Sequence, residues 1–148
     1  MKAYRSLNLI QKGLGDGTVT CTQLVDFYLK NIEANAHLNA FLEVYTEEAK
    51  QRAQEIDQKI AAGKAGKLAG MVVAIKDVLA YKDHKLQAAS NVLDGFESQF
   101  TATVVQRLLD EDAIIIGRNN CDEFAMGSSN ENSALGNTHN ALDQERVP

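Results

Sequence analysis

The chain has 148 residues, 45% hydrophobic and 24% charged, with a formal net charge of −5 and a pI near 5.2, the make-up of one globular domain rather than a disordered tail. No cluster of lysine and arginine offers a surface to nucleic acid or an anionic membrane, so any polyanion would need a partner to hold it. The first ten residues fall short of a signal-peptide core and no later run approaches a membrane span, which makes the cytoplasm the expected setting.

Cys21 and Cys121 lie far apart without a CxxC, and His37, His84 and His139 are scattered. This argues against a disulfide framework or a zinc site and fits a reducing compartment; no metal ligand is assigned. The one proline is Pro148. With a polar run before it and no closing element, the chain reads as cut.

In chain order, Leu7, Ile10 and Leu14 predict a short amphipathic helix over residues 4–14, ended by Gly15-Asp16-Gly17. Thr20 and Gln23 make a capping box for a helix over 21–35, with Leu24, Val25, Tyr28, Leu29 and Ile32 as its apolar stripe. Residues 38–45 alternate as a strand, with a short linker as the alternative, and His37 lies at the junction in a surface or capping role. Thr46-Glu47-Glu48 opens a second helix carrying Ala49, Ala53, Ile56 and Ile60 on one face, which should stop near Gly63–Gly66.

Gly70 and the apolar run Met71–Ile75 read as a strand buried on both faces, with Lys76 where it emerges. Two readings of Lys76 stand open on these residues: a solvated strand end pairing with Asp77, or an amine in a dry cleft, where desolvation favours the neutral base. Tyr81–Lys85 is a charged loop in which His84 is solvated. Thr101 or Thr103 caps a helix that turns Val104, Val105, Leu108 and Leu109 inward, and Asp110-Glu111-Asp112 should fray its end against the dipole. Ala113–Gly117 is a second buried strand, giving a βαβ unit with parallel strands. Asn120–Gly127 predicts one or two helical turns with Phe124 inward and Asp122 and Glu123 at their start; residues 128–148 form a loop. The fold class is therefore α/β, with 1–66 mainly helical and 67–148 the start of an α/β core.

Leu68–Asp77 and Gly117–Ser133, above all the Phe124–Ser133 block, resemble the amidase signature family and, within it, its tRNA-dependent amidotransferase branch. The Val-Ala-Ile-Lys string also occurs in kinases, but no Gly-rich phosphate loop precedes it here. The resemblance implies the N-terminal part of a single amidase domain, with a mixed central sheet ringed by helices. It also implies hydrolysis of a carboxamide by a serine, a cis-serine and a lysine. Lys76 would be the lysine, drawing a proton through the bridging serine from the nucleophile and returning one to departing ammonia. The Gly/Ser-rich signature with the cis-serine would follow Pro148, and Ser128 and Ser129 belong to the upstream motif, so a chain of these residues alone is expected to be inactive.

Met126 and Gly127 match the segment bordering the substrate pocket. Asp77 would fix the turn after Lys76, and Cys121 is not expected to react. Arg118 stands where relatives usually carry lysine, and Gln87-Ala88-Ala89-Ser90 replaces a threonine-rich string. In the intact protein the resemblance implies glutamine hydrolysis that supplies ammonia for converting Glu-tRNA(Gln) to Gln-tRNA(Gln). B and C subunits would complete a heterotrimer, with ATP and Mg used by a partner subunit and no cofactor on this chain. A stand-alone carboxamide amidase and a noncatalytic partner-binding module are the alternatives.

Overall fold

The computed structural model describes residue 4 and residues 6–148. Among them are α1 (Leu7–Gly15), α2 (Cys21–Ala34), β1 (Phe41–Val44), α3 (Thr46–Ala61), β2 (Val72–Lys76), α4 (Thr103–Asp110) and β3 (Ile114–Asn119), with short 3-10 turns at Ala36–Leu38, Asn91–Leu93 and Glu123–Ala125. The helix expected from residue 4 begins at Leu7, because Ser6 is extended and its hydroxyl accepts from the Leu9 amide at 3.3 Å; Arg5 lies outside the described residues.

The chain divides into two compact units, each drawn from three stretches: 1–34, 45–73 and 106–116 in the first, 35–44, 74–105 and 117–148 in the second. In the first unit, Ile10, Val19 and Leu24 form a core cluster against which Leu14, Tyr28 and Val72 pack. Gly70 is required there: at φ +85° an added Cβ would stand 2.6 Å from Leu14 Cδ1 and 2.7 Å from Ile10 Cγ2. Helix α2 is opened by the capping box its sequence predicts, with Gln23 N donating to Thr20 Oγ1 and Thr20 N to Gln23 Oε1, both at 3.1 Å. A second cap comes from α3, whose Asp57 carboxylate accepts from the amides of Cys21 at 2.7 Å and Thr22 at 3.1 Å. Burial first, then the Asp57 charge, pushes the Cys21 thiol up to about 12, so it behaves as a small hydrophobe.

Helix α4 ends differently from its sequence expectation. The amide of Ala113 donates to Leu108 O and that of Asp112 to Leu109 O, a Schellman closure with Asp112 in the left-handed position at φ +66°. The acids do not fray this end. Asp112 is 2% exposed and accepts from Lys59 Nζ at 2.6 Å, Arg52 Nη2 at 2.9 Å and Gly66 N at 2.8 Å. Arg52 Nη2 also donates to the terminal carbonyl of Leu109 at 2.8 Å. Val104 departs from expectation as well: it is 52% exposed, while Val105 is buried. The inward stripe runs Val105, Leu108, Leu109, and Val104 falls one helical step off it.

The sheet has the order β1-β3-β2. Strand β1 pairs antiparallel with β3 through Phe41↔Asn119, Glu43↔Arg118 and Val44↔Gly117. Ile114 N donates to Met71 O and Asp77 N to Asn119 O, so β3 and β2 run in the same direction, as the βαβ pattern predicts. The sheet is thus mixed. Strand β3 is buried from Ile114 through Arg118, as expected of a central strand. For β2 the expectation of burial on both faces fails: Val72–Ala74 are half-buried, because β2 lies at the edge with β3 as its neighbour. His84 is not simply solvated either; its ring stacks on Tyr81 with centroids 4.1 Å apart.

For Asp112, the raising effect of burial is outweighed by the Lys59 hydrogen bond, the Gly66 amide and the charges of Lys59 and Arg52, which together hold its carboxyl below the ordinary carboxylate value. A depressed folded value means that this stabilisation is complete above the unfolded value of about 4 and lost as pH falls through the folded one. Asp112→Asn should therefore cost about 3 kcal/mol near neutral pH. In urea denaturation the difference from wild type should shrink steadily below pH 4; a constant difference would refute the assignment.

Candidate functional site

Asp77 organises the region around Lys76. Its carboxylate is fully buried and accepts from the amides of Gln87 at 3.0 Å and Ala89 at 2.8 Å and from Arg118 Nη1. Its main chain donates to Asn119 O and accepts from Ala88 N. Asp77 therefore does more than fix the turn after Lys76: it ties the strand end to β3 and to the 87–89 segment. It does not pair with Lys76, because Arg118 occupies it. Arg118 is 4% exposed, and its Nη2 lies 3.6 Å from Glu43 Oε2 on β1.

The segment after β3 is not a helix of one or two turns. Only Glu123–Ala125 forms a 3-10 turn, and Phe124 within it has φ 50° and is 47% exposed rather than inward. The reason lies in Asp122. Its side chain caps no helix; its carboxylate accepts from Asn130 N at 2.9 Å and Asn132 N at 3.1 Å, bending residues 126–132 around it. Gly127 fits only as glycine, since a Cβ there would overlap the Asp122 carboxylate. The amides of Asn132 and Asn130, with a further contribution from the charge of Lys76, hold the Asp122 carboxyl below its ordinary value against the effect of burial. Glu123 is turned to Ser90, whose hydroxyl donates to it at 2.6 Å.

Residues 128–148 carry no helix or strand, as the sequence suggests, yet hydrogen bonds knit them to the unit. Asn39 Nδ2 donates to Leu135 O and Asn137 O, Asn120 Nδ2 to Gly136 O, and Thr138 Oγ1 to Asn39 O. The sequence offers Asn120 only as a helix cap and gives Asn39 no role; the available signal is residue type, since Asn and Ser are the residues that bond to a folded-back main chain.

These segments enclose an open cavity of about 350 Å³ lined by Lys76, Cys121, Asp122, Gly127, Ser128 and Asn130, among others. Of the three site residues predicted from sequence, Lys76 and Gly127 meet there. Met126 does not line it; it is 81% exposed. Lys76 is exposed and not dry, because the edge strand that carries it ends at the mouth of the cavity. Burial first, then the charge of Asp77, raises the Cys121 thiol, while Lys76 pulls it down; a protonated, buried thiol of this kind is a poor nucleophile. Among the described residues no group of three His, Cys, Asp or Glu converges to hold a metal, and no helix is long and apolar enough to cross a membrane.

Comparison with known proteins places this arrangement. Two relatives are the A subunits of glutamyl-tRNA(Gln) amidotransferases. The one from Chlorobium chlorochromatii (strain CaD3) is 50% identical over 133 residues that make up 89% of this chain and 28% of that protein. Its counterpart from Chlorobaculum tepidum (strain ATCC 49652 / DSM 12025 / NBRC 103806 / TLS) is 48% identical over 94% of this chain and 29% of that protein. The chain thus spans under a third of the length of the curated relatives it matches. Among solved structures, native peptide amidase from Stenotrophomonas maltophilia superposes with a TM-score of 0.86 at 28% identity, covering 96% of this chain and 31% of that one. The amidase family model matches residues 23–148, from within α2 to the end of the loop that closes the cavity, and the chain belongs to that family.

Proposed function

We propose that this chain is the N-terminal portion of the A subunit of a glutamyl-tRNA(Gln) amidotransferase. The observation that carries the reading is the meeting of Lys76 and Gly127 in one cavity, in a chain about half identical to relatives of that name. In the intact protein Lys76, as a neutral amine, takes the proton of the nucleophilic serine through a bridging serine. The nucleophilic serine attacks the glutamine carboxamide, the carbon–nitrogen bond breaks as Lys76 returns a proton to the departing ammonia, and water then cleaves the serine ester to release glutamate. Ammonia passes to a partner that activates the glutamyl group of Glu-tRNA(Gln) with ATP and Mg, and B and C subunits complete the cytoplasmic complex.

Gly127 and Ser128 border the substrate pocket on this reading, while Met126, the other candidate from the sequence, stands outside the cavity lining. No cofactor is assigned to this chain. Without both serines the 148 residues alone hydrolyse nothing, and the net charge of −5 leaves tRNA to the partner. The likeness to peptide amidase favours, as a second reading, a stand-alone amidase acting on other carboxamides.

Lys76→Ala in the full-length protein should lower ammonia release from glutamine by about 10²–10⁴-fold, whereas Lys82→Ala, an exposed loop residue, should leave it within about twofold, a surface change of small energetic effect. Equal losses would sink the assignment of Lys76. Turnover of peptide amides but not of glutamine by the wild type would select the second reading. The 148-residue chain by itself should release no ammonia from glutamine; measurable release would overturn the division of the triad.

A further inference from the structure

The cavity beside Lys76 is lined by more polar side chains than the proton transfers use, and most of their acceptors are already committed. Asp122 spends its two carboxylate oxygens on the amides of Asn130 and Asn132. Asn120 takes Cys121 N at 2.9 Å and Ser133 Oγ at 2.7 Å on its oxygen and gives its nitrogen to Asn39 O and Gly136 O. The oxygen of Asn130 accepts from Thr138 N, and its unpartnered Nδ2 is a buried donor. Ser128 is exposed, with no bond orienting its hydroxyl.

Asn119 is the exception. Its Nδ2 donates to Ala40 O at 3.1 Å, which anchors that end of the amide, and among the described residues nothing donates to its Oδ1. The residue is half-buried, and Oδ1 is not among the atoms shut off from solvent. It is therefore a fixed acceptor left open in the cavity wall.

The strand pairing sets this acceptor beside Lys76. Asp77 N donates to Asn119 O at 3.1 Å, so the ends of β2 and β3 lie side by side, at the spacing of about 4.8 Å of adjacent strands. The side chains of Asp77 and Arg118 meet on one face of that pair. Alternation along each strand then puts their neighbours, Lys76 and Asn119, together on the other face, and both line the cavity.

We propose that Asn119 is a further catalytic residue, whose Oδ1 accepts an N–H of the scissile carboxamide nitrogen. The proposal rests on Lys76 as the base of carboxamide hydrolysis. A carboxamide nitrogen carries donors and no usable acceptor, so an open, anchored acceptor is the group that complements it. As the carbon–nitrogen bond breaks, that nitrogen must turn its lone pair toward the proton Lys76 returns. One N–H held by Oδ1 fixes the turn. An ester has no N–H at this point, so Asn119 selects amides over esters.

The test compares kcat/KM for glutamine and for glutamate γ-methyl ester in the full-length protein. Asn119→Leu, which removes the acceptor, should lower the amide-to-ester ratio about tenfold, the size of one hydrogen bond made in the transition state. An equal fall on both substrates would make Asn119 a structural residue and overturn the proposal, and so would an unmoved rate on both. Should Asn119→Leu fail to fold, Asn119→Ala is read by the same ratio. Wild type that turns over the ester and leaves glutamine intact would overturn the glutaminase reading and the proposal together. Glutamine turnover that is lost in Lys76→Ala, with a ratio unmoved in both Asn119 variants, would overturn the role of Asn119 alone.

Discussion

A buried carboxylate must collect donors or it costs several kcal/mol, and the second unit is arranged around meeting that demand at Asp77. Its two oxygens take Arg118 and the amides of Gln87 and Ala89, while its own amide reaches Asn119. Four separate stretches of chain are fixed by one side chain: the end of β2, the 87–89 segment, β3, and through Arg118 the Glu43 position on β1. Lys76 is covalently next to this hub. Its backbone is therefore set by contacts its own side chain does not make, and the exposed amine is delivered to the cavity mouth from a rigid base.

The same device recurs elsewhere in the fold. Asp122 gathers the amides of Asn130 and Asn132 and thereby shapes the cavity wall. In the first unit Asp112 gathers Lys59, Arg52 and the Gly66 amide, and Asp57 caps α2 from another helix. An acidic chain can thus carry its negative residues inside the fold as organisers of main-chain amides. The excess of acids over bases then says less about the surface than composition alone suggests.

What was legible in the sequence is what depends on near neighbours. The helices at Cys21–Ala34 and Thr46–Ala61, the Thr20–Gln23 box and the buried run of β3 all follow from periodicity and local capping. What was not legible depends on partners beyond the reach of local capping, from 8 to 60 residues away. Asp112 looks like a misplaced acid at a helix end until Arg52 and Lys59 are brought to it. Asp122 looks like a helix-start residue until residues 130 and 132 fold back on it, and with that amide trap the expected helix is lost and Phe124 turns outward. Lys76 and Gly127 were found through a motif, and their meeting in one cavity depends on Asp77 and Asp122, which local spacing cannot place. The edge position of β2 was likewise invisible, since strand order is not written in strand composition.

Backbone strain follows the same map. Among the described residues eight non-glycine positions have positive φ, and five of them, Ala88, Ala89, Phe124, Ala125 and Asn130, lie in the two segments tied to Asp77 and Asp122. Each left-handed residue costs roughly 1–2 kcal/mol, so these conformations persist because other contacts offset them. Ala88 O accepts from Phe124 N at 2.8 Å and Ala89 O from Ala134 N at 2.9 Å, so the two strained segments bond to each other as well as to their carboxylates. Without the carboxylates the alanines would relax to right-handed or extended backbone and the Phe124 and Ala134 amides would lose their acceptors. The cavity wall is thus held in a shape that its residues do not favour locally. Such strain is stable only where several independent contacts over-determine the geometry, which is the condition a site needs if its amine and its pocket backbone are to stay in register through a reaction.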